Sequence, residues 1–477
     1  MAIDSTHPQY DATADQWQRI RDVMGGEDAV KARGSGYLPM LSGADHDEWN
    51  GYLTRALFYN ATARTVAGLA GAIFRKDAVI EAPDVLNDTL EAATPTNAPF
   101  SILAKQAVEE VIAVGRVGVL IDMPEDGDEP YVAMYLAEDV INWRAEYVAG
   151  EERLILAVLH ETVEEQGDDE YETVEVDQWR VLKLVDGSYV QEVWREIEGA
   201  APMGNRFVMV SQVSPSIRGR ALDYIPLVLI GPTDIGPTVE RSPIIDLVDV
   251  NLSHYRTSAD LEHGAHFTAL PTYWATAGTG STPEYRVGSG VAWIVEPGGQ
   301  AGILEYAGQG LKALEERLAG KERLMAVLGA RLLEDQKKAV ETADAIRLRH
   351  SGENSLLATI ADTVSRGLTV ALTWLAEWQS AAGDVSVQLN KDFVDVAMTP
   401  QEITAMVAAW QSGGISRETL FYNLQRGEVI PAERTFEEEV ELIERDAPLG
   451  MQAQAQDMEH ADRREDRADE MMAAEGA

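Results

Sequence analysis

The sequence predicts an α+β fold dominated by long helices, with one β-rich region. Three features carry that expectation. Helical periodicity begins at Asp45, β-branched and aromatic runs fill the stretch from Val117 to Ile230, and long apolar-striped helices follow Ser242. At 477 residues the chain is about three times a ~150-residue domain, so two to four domains are expected. Its 45% hydrophobic content is ample for a core.

Residues 1–44 are polar and Gly-rich, with Asp15 to Met24 the one short helix they predict. From Asp45, Trp49, Leu53, Leu57, Thr65, Leu69 and Ile73 recur at three-to-four-residue spacing and end at Arg75 and Lys76, cations suited to a helix C-terminus. A second helix is expected over Phe100 to Val114, stopped by Gly115, and then a strand over Val117 to Ile121. Strands follow at Val132–Leu136, Leu154–His160, Glu172–Leu184 and Ser188–Ile197, separated by acidic or Gly-bearing turns, with Asp186-Gly187 a hairpin signal.

After the linker Gly231 to Pro237, Ser242 reads as an N-cap with Pro243 at the first helical position. Gly, Pro and aromatic residues then predict a small non-helical module over 264–303. A helix over Gln309 to Leu333 aligns Leu311, Leu314, Leu318, Met325, Leu328 and Leu332 on one stripe. A polar break at Glu334 to Lys338 precedes a long helical stretch, Thr342 to Gln379, and a short strand, Val385 to Leu389. Helices are expected at Gln401–Gln411, Ser416–Gln425 and Ala432–Arg445, the middle one starting at Ser416 with Thr419. A tail rich in Gln, Met, Ala and acid, with a few Arg, closes the chain.

The charge is the unusual number: 39 basic against 80 acidic side chains gives −41. Such a surface is unsuited to gripping nucleic acid by neutralising phosphates, or to anionic membranes. It leaves open DNA that passes without sticking. The longest apolar run, Ile225 to Gly231, falls far short of the ~20 residues that span a bilayer, and the first residues lack a signal-peptide pattern. A soluble protein made in the cytosol is expected, and the absence of cysteine fits a reducing compartment.

Enzyme signatures are missing. Gly320-Lys321 is followed by Glu322 and lacks the upstream glycine of a phosphate-binding loop, and HExxH and GxSxG are absent. His263 and His266 have no acid or cysteine partner downstream at ligand spacing, so a helix-to-loop transition is the better reading. Gly278-Thr279-Gly280 and Gly288-Ser289-Gly290 lack the third glycine of a dinucleotide fingerprint. No cofactor, metal or catalytic residue is expected. Trp374 and Trp378, at helical spacing, read as core or subunit packing.

One window departs from the acidic background. Between Lys312 and Lys338, seven bases face five acids. A solvated helix face with pairs such as Lys312–Glu316 accounts for it. Alternatively Lys312, Lys321, Arg323 and Arg331 lie near a polyanion, with Lys337 and Lys338 presenting two ammonium groups from the break.

The order of these pieces resembles the portal (head-to-tail connector) proteins of tailed bacteriophages, over roughly Asp45 to Arg445. The matching stretches are Ile225 to Ile230 with Ser242 to Asn251 and Ser258 to His263, Glu341 to Arg349 running into Ser355 to Ile360, and Gly413 to Leu420 with Glu438 to Glu444. Tyr59, Asn60 and Arg64 to Phe74 resemble a portal subgroup catalogued largely as a family of unknown function.

The resemblance implies a wing over 1–238, a first stem helix over 239–263, a clip over 264–303 and a second stem helix over 304–333. A tunnel loop, long helix and return strand to the wing would occupy 334–399, and crown helices with the acidic tail 400–477. It implies a dodecameric ring at one capsid vertex of a virion, assembled in the host cytoplasm. DNA would be packaged and ejected through it without sequence readout. Its partners would be the terminase large subunit, a head-completion or adaptor protein, and the major capsid and scaffolding proteins, with no membrane.

Arg331, Lys337 and Lys338 would then be DNA-proximal, and Lys312, Lys321 and Arg323 stem cations. Leu311, Leu314, Leu318, Met325, Leu328 and Leu332 would pack between subunits, and Tyr273, Trp274, Tyr285 and Trp293 would contact terminase or adaptor. Twelve copies would carry roughly −490 charges, a potential that keeps a sliding polyanion from adhering. The other readings are a different virion structural protein, such as a minor head or adaptor protein, and an acidic cytosolic enzyme.

Overall fold

A computed structural model describes residues 2–43, 45–124, 129–148, 150–167, 169–196, 206–269, 272–276, 298–304, 309–332, 355–391, 393, 400–426, 429–431 and 434–446. The fold is α+β, as the sequence predicts. The chain divides into two compact units, Met1–Phe393 and Val394–Ala477.

The first unit opens with α1 (Pro8–Gly25), α2 (Glu27–Ala32), α3 (His46–Arg55) and α4 (Ala61–Ile73). Here the structure corrects the expected Asp15–Met24. The helix begins at Pro8, with the His7 ring accepting from the Gln9 amide, and buries Trp17, Ile20 and Val23. Arg21 fastens it with bonds of 2.6 and 2.8 Å to Glu110 and 2.8 Å to Glu138.

A short strand β1 (Val79–Glu81) and helix α5 (Asn87–Glu91) lead to α6 (Phe100–Ala113). Phe100, Leu103, Ala104, Ala107, Val108, Val111 and Ile112 give α6 a wholly buried stripe. Gly115 ends it at φ +84°, and a Cβ there would come within 3.2–3.3 Å of the Ser242 backbone. Only glycine meets both demands without strain.

β2 (Val117–Asp122), β3 (Tyr131–Leu136) and β11 (Leu227–Ile230) form an antiparallel sheet in the order β11-β2-β3. A second antiparallel sheet is a five-stranded meander. It comprises β4 (Val140–Val148), β5 (Glu151–Gln166), β6 (Thr173–Val185), β7 (Ser188–Glu196) and β8 (Phe207–Val213) in chain order. Asp186 and Gly187 both take positive φ, so the expected hairpin closes with Val185 opposite Ser188. β5 outruns its predicted length because it pairs with β6 out to Gln166, opposite Thr173, whereas β6 keeps the length expected of it. A small hairpin, β9 (Ser216–Ile217) with β10 (Arg220–Ala221), follows β8.

Leu120, Tyr135, Trp143, Leu159, Leu182 and Tyr189 make up one apolar cluster drawn from both sheets. Arg180 links the sheets as well, with 2.7 Å to Glu161 and 3.0 Å to Asp122. Burial would raise the Glu161 pKa, but Arg180 outweighs it and holds this carboxyl below its ordinary range.

The remaining elements of this unit are α7 (Ile245–Ala269), β12 (Thr272–Ala275), β13 (Ala301–Leu304), α8 (Gln309–Arg331), α9 (Leu356–Gln379) and β14 (Ser386–Gln388). Ser355 caps α9, whose Leu357, Ile360, Val364, Leu368, Ala371, Leu372 and Leu375 are buried. At Gly367 a Cβ would stand 2.5 Å from Ile230 Cδ1, so the missing side chain lets the helix lie on β11. Trp374 stacks on Tyr224 at 5.3 Å and Trp378 packs against the core. β14 pairs with β1. The expected start of the long helix, Thr342 to Asn354, lies outside the described residues.

In the second unit, α10 (Pro400–Gln411), α11 (Arg417–Arg426) and α12 (Phe436–Asp446) follow the expected pattern. The Ser416 hydroxyl accepts from the Thr419 amide at 3.0 Å. Thr435 and Glu438 exchange side-chain and backbone bonds as a capping box. The acidic tail lies outside the described residues. Among the described residues, no helix is long and apolar enough to cross a membrane.

Candidate functional site, a rooted helix pair with a ribbon at its end

Helices α7 and α8 are the elements on which the sequence-derived site falls. At the start of α7 the Ser242 hydroxyl donates to the Ala113 carbonyl at 2.6 Å and accepts from the Ile244 amide at 3.3 Å. Regular helix begins at Ile245 rather than Pro243. Leu247, Val248, Leu252, Tyr255 and Ala259 are buried, and Asn251 receives the Thr62 amide at 3.1 Å, so this half is embedded in the core. From Asp260 through Thr268 no residue of α7 is buried, nor is any from Gly310 to Leu324 on α8. The pair is rooted at one end and cleared of the core at the other.

The two helices run antiparallel. Gly264 faces Leu311, where a Cβ would come to 2.7 Å of Leu311 Cδ2. Further along, Lys321 Nζ donates to the Ser253 carbonyl at 2.7 Å and to the Thr257 hydroxyl at 2.6 Å. Burial, then the neighbouring Arg317 and Arg256, lowers the Lys321 pKa. Next to it, buried His254 lies 3.5 Å from Glu322, an ion-pair distance without a directed hydrogen bond. Burial lowers its pKa more than Glu322 raises it. At 1.5 Å per residue, the helices are about 38 and 35 Å long.

α3 braces α7. Tyr52 donates to Asp260 at 2.6 Å, and Arg55 lies 3.2 Å from the His263 ring. His263 also packs edge-on against Tyr52 and Phe267. His263 and His266 therefore lie inside the helix and not at the expected helix-to-loop transition, because α7 continues through Gly264 to Ala269. Among the described residues, no three His, Cys, Asp or Glu side chains gather as a metal site.

β12 and β13 form a two-stranded antiparallel ribbon, pairing Tyr273 with Ile303 and Trp274 with Gly302. Gly302 makes room for the Trp274 indole, which would be 3.0 Å from a Cβ there. Tyr273 and Trp274 are 40% and 41% exposed. Thr276 and Gln300 extend the ribbon with bonds of 2.7 and 2.8 Å.

The structure brings some expected site residues together and reassigns others. Lys312 and Arg323 are exposed and 11 residues apart, three helical turns, so they share a face. Arg331 is also exposed. Lys321 is a clasp between helices rather than an outward cation, a role with no local sequence signal because both acceptors are more than 60 residues away.

The expected subunit-packing stripe also needs correction. Met325 and Leu332 are buried in the chain's own core, and Leu328 packs against it, because this end of α8 is the rooted one. Leu311, Leu314 and Leu318 are half-buried along α7, while Leu324 and Val327, outside the predicted stripe, are exposed. Lys337, Lys338, Tyr285 and Trp293 lie outside the described residues.

A family model described as a domain of unknown function (DUF4055) matches residues 243–379, from the start of α7 to the end of α9. No curated protein matches. Among solved structures, the chain is similar to one from "Virion of native gene transfer agent (GTA) particle", with 13% identity, TM-score 0.40 and coverage of 85% of this chain and 98% of that one. It is also similar to one from "Neck of empty GTA particle computed with C6 symmetry", with 14% identity, TM-score 0.40 and coverage of 80% and 93%. A third, from "Neck of native GTA particle computed with C12 symmetry", has 13% identity, TM-score 0.36 and coverage of 76% and 89%.

Proposed function

We propose that the chain is a portal-type virion subunit, twelve copies of which form a ring at one capsid vertex and conduct double-stranded DNA in packaging and ejection. The observation that carries this reading is the α7–α8 pair, two helices of about 35 Å that are core-bound at one end and joined through a small β-ribbon at the other. Such a pair is suited to wall a channel, and its ribbon to meet other proteins. Exposed Tyr273 and Trp274 would dock the terminase large subunit and later a head-completion or adaptor protein. Major capsid and scaffolding proteins would surround the ring.

In this role the acidic surface repels the DNA, and sparse cations centre it. Lys312 and Arg323 occupy the face of α8 turned away from its packed stripe, Arg331 ends that helix, and Lys337 and Lys338 follow in the sequence. No residue is assigned a catalytic part. Light scattering on the purified chain tests the reading. A mass of twelve subunits is expected, whereas a monomer or dimer that persists at high concentration contradicts it.

A further inference from the structure

Two surfaces on the five-stranded sheet differ sharply from each other in charge. β8 is an edge strand, hydrogen-bonded among the described strands to β7 alone. Its Val208, Met209, Val210 and Val213 are exposed. From Arg206 to Ala221 the chain carries three arginines and no acid, in a protein with two acids per base. Natural edge strands are usually guarded by inward charges, prolines or bulges; β8 carries one register shift, at Val210 between Met209 and Ser211, and otherwise presents apolar side chains. Arg218 and Arg220 are exposed on the hairpin that follows it.

The other surface is the far end of β5 and β6. Beyond the last β6–β7 pair at Gln178, the segments Thr162–Gln166 and Thr173–Asp177 pair only with each other and extend as a two-stranded ribbon. Residues 161–177 hold nine acids and no base. Glu161 is committed to Arg180, and Glu165 to Arg195. Glu164, Asp169, Glu170, Glu172 and Glu175 are exposed, as are the apolar Tyr171 and Val174. The ribbon's free paired length, about 17 Å, fits within the about 23 Å of β8.

We propose that the acidic β5–β6 ribbon of one copy docks against the β8 edge and the Arg218–Arg220 hairpin of a second copy of this chain. Within one chain β7 stands between β6 and β8, so a ribbon cannot reach its own β8 edge. The contact is head-to-tail, each copy giving a ribbon on one side and receiving one on the other, and such contacts form a ring where the rotation between copies closes. Charge complementarity selects the occupant. Arg206 is held by Glu196 and Asp4, which leaves the exposed Arg218 and Arg220 as the cations of this edge. A chain of net −41 repels its copies over most of its surface, and these two arginines offer a place where an acidic element is attracted. This deepens the ring reading and rests on it for the presence of a neighbouring copy.

The absence of native cysteine allows a direct test. Chains carrying Val174→Cys and Met209→Cys together are treated with a short bismaleimide, and their assembly mass is measured on the same sample. A ladder of cross-linked oligomers is expected from the double variant, with no cross-link from either single variant. Cross-linked dimers from a single variant would mean a two-fold contact and would overturn the proposal. A full ring without a ladder overturns the ribbon contact and leaves the ring reading intact. A chain that stays monomeric overturns the ring reading, and the contact with it.

Charge reversal gives an independent arm. Arg218→Glu with Arg220→Glu, or Glu170→Arg with Glu172→Arg, should each weaken assembly about tenfold in concentration, and all four together should restore it. Such restoration cannot come from misfolding. Reversals without effect, or ribbon capture only by a different virion protein, would overturn the contact between copies.

Discussion

At the scale of single residues, Lys321 is the most informative side chain of the helix pair. Its two hydrogen bonds cross from α8 to α7, and burial lowers its pKa. Lys321→Ala should destabilise the first unit by about 1–3 kcal/mol, since a charged donor is lost and its acceptors are left behind. Lys312→Ala, on the exposed face, should change stability by less than about 0.5 kcal/mol. Urea unfolding of both variants measures the difference.

Histidine supplies a second residue-scale prediction. His7, His254 and His263 all titrate below the ordinary 6.5, in each case chiefly through burial. The folded chain therefore disfavours their protonation. Their contribution is complete above pH 6.5 and is lost as the pH falls from there towards their folded values. Thermal melting should show stability declining below pH 6.5, with a shallower decline in His254→Gln. Glu161, whose folded pKa is lowered, adds a separate loss only at more acidic pH, below the ordinary glutamate value.

At the scale of elements, the turn from α6 into β2 depends on Gly115, which combines positive φ with close approach to Ser242. Gly115→Ala should cost about 1–3 kcal/mol, read as a lower urea midpoint with an unchanged slope. Much of the element order could be read locally. The Asp186-Gly187 turn, the α6 stripe and the Ser416 cap are written in adjacent residues. Where prediction fell short, distant contacts decide. α1 reaches back to Pro8 although its first turns are polar, because His7 caps it and Tyr10 of the first turn packs edge-on against Trp17 and donates to the distant Glu138 carbonyl. α7 runs through Gly264 because Leu311 of α8 fills the space a side chain would take. The stripe on α8 was legible, but not that Met325 and Leu332 would be used inside the chain.

At the scale of the whole molecule, the net charge of −41 sets the terms of assembly. Like-charged copies repel at low ionic strength, and screening relieves them. Sedimentation should accordingly show larger assemblies at moderate salt than at very low salt. In the proposed portal role, the helix pair, its β-ribbon and the sparse cations of α8 serve one bore around which copies close. Averaged end-on views of purified assemblies by electron microscopy examine that most directly. Twelve α7–α8 pairs lining a central opening are predicted. A solitary chain, or a ring bearing those helices on its outer surface, would contradict a DNA conduit.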